Sequence, residues 1–233
     1  MGTLVTYHRE GDVATITMDD GKVNVLSPQM LDELGSALDQ AEADGVVVIL
    51  TGQGKVFSAG FDLGVLQGGG PDASAMLLAG FELAARLLAF PRPVVIACNG
   101  HTIAMAVFVL LSADYRIGVA GPYTITANEA AIGLTMPHAA VEICRQRLTP
   151  AHFTRAVVNA EVYATADAVA PGFLDAVVAD GELAEAAQRK AAELARLDGQ
   201  AHAATKLRAR GPALAAIRAA MEADAAYFDS LTG

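Results

Sequence analysis

An α/β fold is predicted by three features of this chain. It carries short β-branched runs that do not alternate, amphipathic helical stretches between them, and brief links marked by glycine or proline. Val46-Val47-Val48-Ile49-Leu50 and Val94–Cys98 are almost uniformly apolar, the pattern of strands covered on both faces. Between them lies a helix-length segment, about Asp72 to Phe90, stopped by Pro91 and Pro93. With 233 residues, 53% of them apolar and 18% charged, the chain can bury a substantial core and lacks the composition of a disordered polymer.

The elements follow in order. Leu4–His8 and Val13–Met18 read as a hairpin about Gly11-Asp12, closed by Asp19-Asp20-Gly21. Ser27 is placed to cap a helix that opens with Pro28 and shows one apolar face through Leu31, Leu34, Leu38 and Ala41. Gly52, Gly54 and Gly60 mark a glycine-rich stretch leading to Phe61, and Gly68-Gly69-Gly70-Pro71 reads as a mobile loop. After Val94–Cys98 the pattern predicts a helix over Ile103–Ala113 and strands over Tyr115–Ala120 and Tyr123–Thr126. From Leu183 onward the chain is alanine-rich and helical. Pro212 is expected to start a last helix whose stripe, Leu214, Ile217, Met221 and Phe228, must pack on something.

Composition also excludes several classes. A net charge of −10 is a poor fit to a nucleic-acid binder. No apolar run approaches the roughly 18–20 residues of a membrane span. The N-terminus shows no basic start followed by an apolar signal core, so a cytoplasmic location is expected. Cys98 and Cys144 are isolated and read as buried free thiols, and no metal-ligand spacing is visible. Gly52-Gln53-Gly54 is no dinucleotide fingerprint, because the third glycine position is Phe57. Ser58 lacks the glycine two residues before it that a nucleophile elbow needs, and nothing in their spacing groups Ser112, Asp114 and His138 as a triad.

Three blocks remain: Lys55-Val56-Phe57-Ser58-Ala59-Gly60-Phe61-Asp62-Leu63, Asn99-Gly100-His101-Thr102-Ile103-Ala104-Met105-Ala106, and Asn128-Glu129-Ala130-Ala131-Ile132-Gly133. In order and spacing they resemble the crotonase superfamily, the enoyl-CoA hydratase/isomerase group, over roughly residues 3–180. The resemblance implies a crotonase-like spiral of ββα turns over residues 1–180 that binds acyl-CoA, and a C-terminal helical oligomerisation region over 181–233 that builds a homotrimer or homohexamer. It implies no cofactor and no metal, coenzyme A entering only as the thioester substrate. It assigns the two backbone donors of an oxyanion hole to Phe61 and Met105, and the proton-carrying carboxylate to Glu129. Ala59, Phe61, Asp62, Leu63 and Gly64, with Met105 and Phe108, would border the substrate. Asp62 is also a plausible helix cap. The anionic phosphates of coenzyme A would need local cations, for which Lys22, Lys55, Arg92, Lys206, Arg208 and Arg210 are available.

The chemistry behind these assignments is general. Acyl-thioester chemistry pushes negative charge onto the carbonyl oxygen, which preorganised N–H donors stabilise. A glycine turn lets the main chain approach a ligand closely. A carboxylate between apolar neighbours has its ionisation shifted toward neutral pH. The chain also departs from the family pattern. Ala104-Met105-Ala106 stands where a glycine-like triplet is usual, so the donor depends on Met105 having helical dihedrals. Pro137 follows Glu129 at +8 where +7 is usual, and His138 beside it is a candidate pocket residue. Phe108 occupies the position of the hydratases' other glutamate. A phenyl ring cannot activate water, so a single-glutamate, isomerase-like mode is favoured. Hydration through a different acid/base group and acyl-CoA binding without turnover stay open.

Overall fold

The computed structural model describes residues 2–230, with side chains through residue 226; the Phe228 side chain lies outside the described residues. Strands β1 (Val5–Glu10) and β2 (Val13–Met18) form the expected antiparallel hairpin. Helix α1 (Pro28–Asp44) starts where Ser27 Oγ accepts the Met30 N–H at 3.2 Å, and it buries Leu31, Leu34, Leu38 and Ala41. From here the chain repeats one move. β3 (Val47–Gly52) and β4 (Val56–Ser58) lead to α2 (Leu63–Gly68) and α3 (Gly70–Ala89). β5 (Val94–Cys98) and β6 (His101–Ile103) lead to α4 (Met105–Leu111). β7 (Tyr115–Val119) and β8 (Thr124–Thr126) lead through a 3₁₀ turn at Ala130–Ile132 to α5 (His138–Arg145) and α6 (Pro150–Val157). β9 (Tyr163–Ala164), β10 (Ala176–Val178), α7 (Leu183–Leu194) and α8 (Gly199–Ser230) complete the chain.

Each turn of this ββα spiral sends its first strand to a six-stranded sheet, ordered β1-β2-β3-β5-β7-β10, and its second to a four-stranded sheet, ordered β4-β6-β8-β9. β4, β6 and β8 run parallel. One face of the larger sheet packs Val47, Ile49, Val95 and Ile117 against Ala187 and Ala191 of α7. The other face joins the main core with α1, α3 and α4. Two covered faces explain the non-alternating strands. The tight corners between paired strands leave little room: a Cβ on Gly100 would lie 1.9 Å from the Lys55 carbonyl oxygen.

Several expectations need correction. Gly68-Gly69-Gly70-Pro71 is no loop, because Gly68 ends α2 while Gly70 and Pro71 open α3, whose first turn has no use for the proline's missing N–H. Gly69 alone lies between the helices, at φ 62 and ψ −160. Pro212 does not start a helix either; it sits inside α8, a single run of 32 residues. The interior proline forfeits one helical hydrogen bond, and α8 offsets that loss by packing along both α3 and α5. Leu214 and Ile217 are buried and Met221 is partly buried within this same chain, so the described part of the stripe is covered without an oligomer. Strand β6 was not anticipated, and α4 accordingly begins at Met105 rather than Ile103. No described helix is long and apolar enough to cross a membrane.

Polar fasteners hold α8 in place. The buried Asp224 carboxylate accepts the N–H groups of His138 and Ala139, each at 2.8 Å, capping α5 from the far end of the chain. Lys206 Nζ lies 2.6 Å and an Arg210 guanidinium nitrogen 3.0 Å from the Asp114 carboxylate, which also accepts the Val94 N–H. Burial pulls the Lys206 ammonium down to about 8. Removing one partner of a buried pair leaves the other charge uncompensated, at a typical cost of about 3–5 kcal/mol. Asp114→Ala should therefore cost that much in urea unfolding. Arg9→Ala, which breaks the more exposed pair with Asp44, should cost under about 1 kcal/mol. Equal effects would deny Asp114 its role as the anchor of α8.

Candidate active site

Phe61, Met105 and Glu129 leave the fold at equivalent places. β4 ends at Ser58, β6 at Ile103 and β8 at Thr126, and each of the three residues follows its strand end within three positions. Because these strands are parallel neighbours, their ends lie on one edge of the small sheet, the edge where open parallel sheets commonly bind ligands. A cavity of about 560 Å³ opens there, with Phe61, Ala104, Phe108 and Glu129 in its wall.

The turn at Gly60 and the turn at Ala104 touch. Gly60 has φ +84, and a Cβ on it would meet the Ile103 carbonyl oxygen at 2.9 Å, Ala104 Cβ at 3.0 Å and Met105 N at 3.3 Å. Only glycine satisfies both the dihedral and the contact. The Gly60 carbonyl is held by the Leu26 N–H at 2.8 Å. Met105 opens α4, so its N–H has no carbonyl of its own helix to bond and lies at the positive end of the helix.

The missing glycines of the second block are accommodated by strain at one residue. Met105 is helical, as a donor there requires, and Ala104 takes φ 53 and ψ −124. An L-residue in so sparsely populated a conformation costs about 1–3 kcal/mol. Hydrogen bonds enforce it: the Ala104 N–H reaches the Thr126 carbonyl at 2.9 Å, and its own carbonyl accepts the Val107 N–H at 2.8 Å.

Glu129 lies immediately before the 3₁₀ turn, only 7% exposed, and its Oε2 is buried without a partner. Burial pushes its ionisation up to about 7, into the range where one carboxyl both takes and returns a proton. Burial, and then the Glu129 charge, raise the thiol of Cys144. Across the cavity Phe108 is buried and stacked on Phe81, with centroids 6.2 Å apart, and Phe81 meets Phe61 edge-on at 6.4 Å. Among the described residues, Glu129 is the one titratable side chain in the cavity wall.

The remaining candidates divide. Ala59 and Leu63 line the cavity, Leu63 at its exposed rim. Asp62 does not; its carboxylate caps α2, accepting the Gly64 N–H at 2.8 Å. Gly64 faces a separate groove between α1 and the α2–α3 segment, and the Met105 side chain is buried outside the cavity wall. His138 is exposed and outside the wall as well, whereas its neighbour Pro137 lines it. Of the cations, Lys206 and Arg210 are engaged by Asp114, while Lys22, Lys55 and Arg208 are exposed. Both cysteines are buried and free. Among the described residues no cluster of His, Cys, Asp or Glu is arranged to hold a metal ion.

Sequence reasoning missed the contribution of α3, which supplies Ser74, Leu77 and Phe81 to the wall. The apolar stripe of that helix was readable, but which part of it faces a cavity was not. It also passed over Asn128, whose amide lines the cavity beside Glu129 with its Oδ1 buried and unpartnered. Strain at Ala104 makes a direct expectation. Ala104→Gly should raise the melting temperature, by about 1 kcal/mol of net stability once the entropy of glycine is deducted. A lower melting temperature would remove the strain at this turn from consideration.

Comparison with known proteins places the chain in a family. The model of the enoyl-CoA hydratase/isomerase family matches residues 8–232. The structure resembles that of an Mtb enoyl-CoA isomerase in its apo form, with a TM-score of 0.93 and 47% identity, covering 97% of this chain and 99% of the other. An enoyl-CoA hydratase from Mycobacterium marinum is similar to the same degree, with a TM-score of 0.93, 46% identity and the same coverage of both chains. The peroxisomal enoyl-CoA delta isomerase 2 of Arabidopsis thaliana is 28% identical over 189 residues, 77% of this chain and 79% of that protein. Its relatives bear both isomerase and hydratase names, and by the extent of the family match this chain belongs to the enoyl-CoA hydratase/isomerase family of enzymes.

Proposed function

We propose that this enzyme moves a double bond in an acyl-CoA thioester, from the 3,4 to the 2,3 position, with Glu129 as the single proton carrier. The carrying observation is the wall of the cavity: one titratable group, Glu129, with the ring of Phe108 where a second would stand. In this reading the thioester oxygen is held by the N–H groups of Phe61 and Met105. The Glu129 carboxylate takes a proton from C2, and the electrons of that C–H bond delocalise onto the oxygen as a dienolate. The carboxylic acid so formed gives the proton to C4, the 2,3 double bond forms, and the carboxylate is regenerated. No water enters the balance, which suits a cavity partly walled by the rings of Phe61, Phe81 and Phe108. The positive end of α4 and a low local dielectric strengthen both donors as charge develops.

A second reading, hydration of a 2-enoyl thioester, has one observation in its favour. The Asn128 amide and the Thr135 hydroxyl line the cavity and could hold a water that Phe108 cannot. We also propose that the binding chemistry belongs to residues 1–180 and that the chain assembles as a homotrimer or a pair of trimers. Its contacts would be made by surfaces other than the Leu214–Ile217 stripe, which this chain already covers.

Parallel assays with 3-enoyl-CoA and 2-enoyl-CoA test the main reading. Isomerisation should exceed hydration, and Glu129→Gln should reduce it by about 10²–10⁴, the usual worth of a positioned acid/base. Hydration that is efficient and survives Glu129→Gln would overturn both the reaction and the residue.

The ionisation of Glu129 adds two expectations. The base form is needed, so kcat/KM should rise with pH and level off above about 7. The same shift affects stability with a definite sign. A carboxyl whose folded ionisation lies near 7 rather than its ordinary 4.5 binds its proton more tightly when folded. Stability is thus fully present below about 4.5 and is lost as pH rises through about 7, by about 3 kcal/mol in all. Glu129→Gln should therefore stabilise the protein at pH 8 and leave it nearly unchanged at pH 4.5. Thermal melts showing the same difference at both pH values would mean that Glu129 does not titrate as a buried group.

A further inference from the structure

We infer that Gly80 is a specificity-determining residue: the missing side chain in the middle of α3 is a socket that parks the Phe61 ring and keeps the acyl path open. The inference rests on the acyl-CoA reading above and deepens it.

Gly80 is buried inside α3 and has ordinary helical geometry, so no backbone requirement explains it. Glycine in a helix interior is costly relative to alanine. The space around it supplies the reason. A Cβ on residue 80 would lie 2.5 Å from both Cε1 and Cζ of Phe61 and 3.5 Å from Cε of Met105. The far edge of the Phe61 ring therefore rests where an alanine methyl would stand.

The ring has few ways to yield. The Phe81 ring meets it at 6.4 Å on one side, and the buried Met105 side chain borders the socket on another. The open side is the cavity that Phe61 itself lines. A methyl at position 80 would thus turn the ring into the cavity, whose wall includes Leu66, Leu77 and Phe108, and narrow the path of an acyl chain. The near end, beside the Phe61 and Met105 amides, would stay free because the ring pivots about its own backbone. Gly80 thereby sets how much chain the site accepts.

Equilibrium binding separates this proposal from the reaction itself. Titration of butanoyl-CoA and decanoyl-CoA into the unmodified protein and Gly80→Ala needs no turnover. Each methylene denied burial costs about fourfold in affinity. With two or three denied, decanoyl-CoA should bind Gly80→Ala about 15- to 60-fold more weakly, while butanoyl-CoA changes by under about threefold. Gly80→Ala combined with Phe61→Leu removes the displaced ring and should restore decanoyl-CoA affinity, a rescue that general damage to α3 would not permit. The helix should melt no lower in Gly80→Ala, since alanine is the better helix former. Equal loss for both thioesters, unchanged decanoyl-CoA binding, or no rescue by the second substitution would overturn the socket alone. Failure of the unmodified protein to bind either thioester would instead sink the acyl-CoA reading on which the socket depends.

Discussion

The contact between the Gly60 turn and the Ala104 turn is the constraint on which the site depends. Successive coils of the spiral pair β4 with β6 through Val56–His101 and Ser58–Thr102, and β6 with β8 through Thr102–Ile125 and Ile103–Thr126. That register delivers the two turns to the same edge of the sheet, so close that the first can carry only glycine. Gly60 and Met105 thereby come into contact, and the chain leaving β8 adds Glu129 to the wall of the cavity that Phe61 also lines. A slip of one residue in either pairing would turn the strand faces over and separate these groups.

This arrangement stores unfavourable terms in a small volume. Ala104 holds a backbone conformation that alanine disfavours, Glu129 has lost its hydration, and Gly80 interrupts a helix that alanine would strengthen. None of these helps the chain fold. They persist because the surrounding structure over-determines them: β8 and α4 each bond Ala104, a fully apolar helix follows it, and two sheet faces are covered by helices. The clasp of α8 contributes at a distance. Asp224 caps α5 at the residue after Pro137, and Pro137 lines the cavity, so the last helix of the chain steadies a wall of the site.

Desolvation links these costs to chemistry. In the proposed reaction, the same burial that moves Glu129 toward neutrality would strengthen every dipole aimed at the thioester oxygen. The rings of Phe61, Phe81 and Phe108 make part of the cavity wall apolar. An apolar wall and a lone proton carrier suit the proposed reaction, in which one proton moves within one substrate.

The sequence by itself determined the covered strands and the Ser27-capped helix, because local patterns of residue type report burial and capping directly. Gly60 and Glu129 stood out only through the likeness of their blocks to the family. Tertiary structure alone decided the rest. A glycine run became the junction of two helices, because one glycine absorbed the bend and the proline fitted the first turn. Pro212 stayed inside a helix, because packing along α3 and α5 outweighed one lost hydrogen bond. Leu214 and Ile217 found their cover within the chain, and Gly64 and His138 came to lie outside the cavity wall. The Ala104 strain and the Gly80 socket were likewise invisible, because both depend on what stands opposite a backbone atom across the fold. Periodicity shows which face of an element is apolar; only the packed structure shows what that face meets.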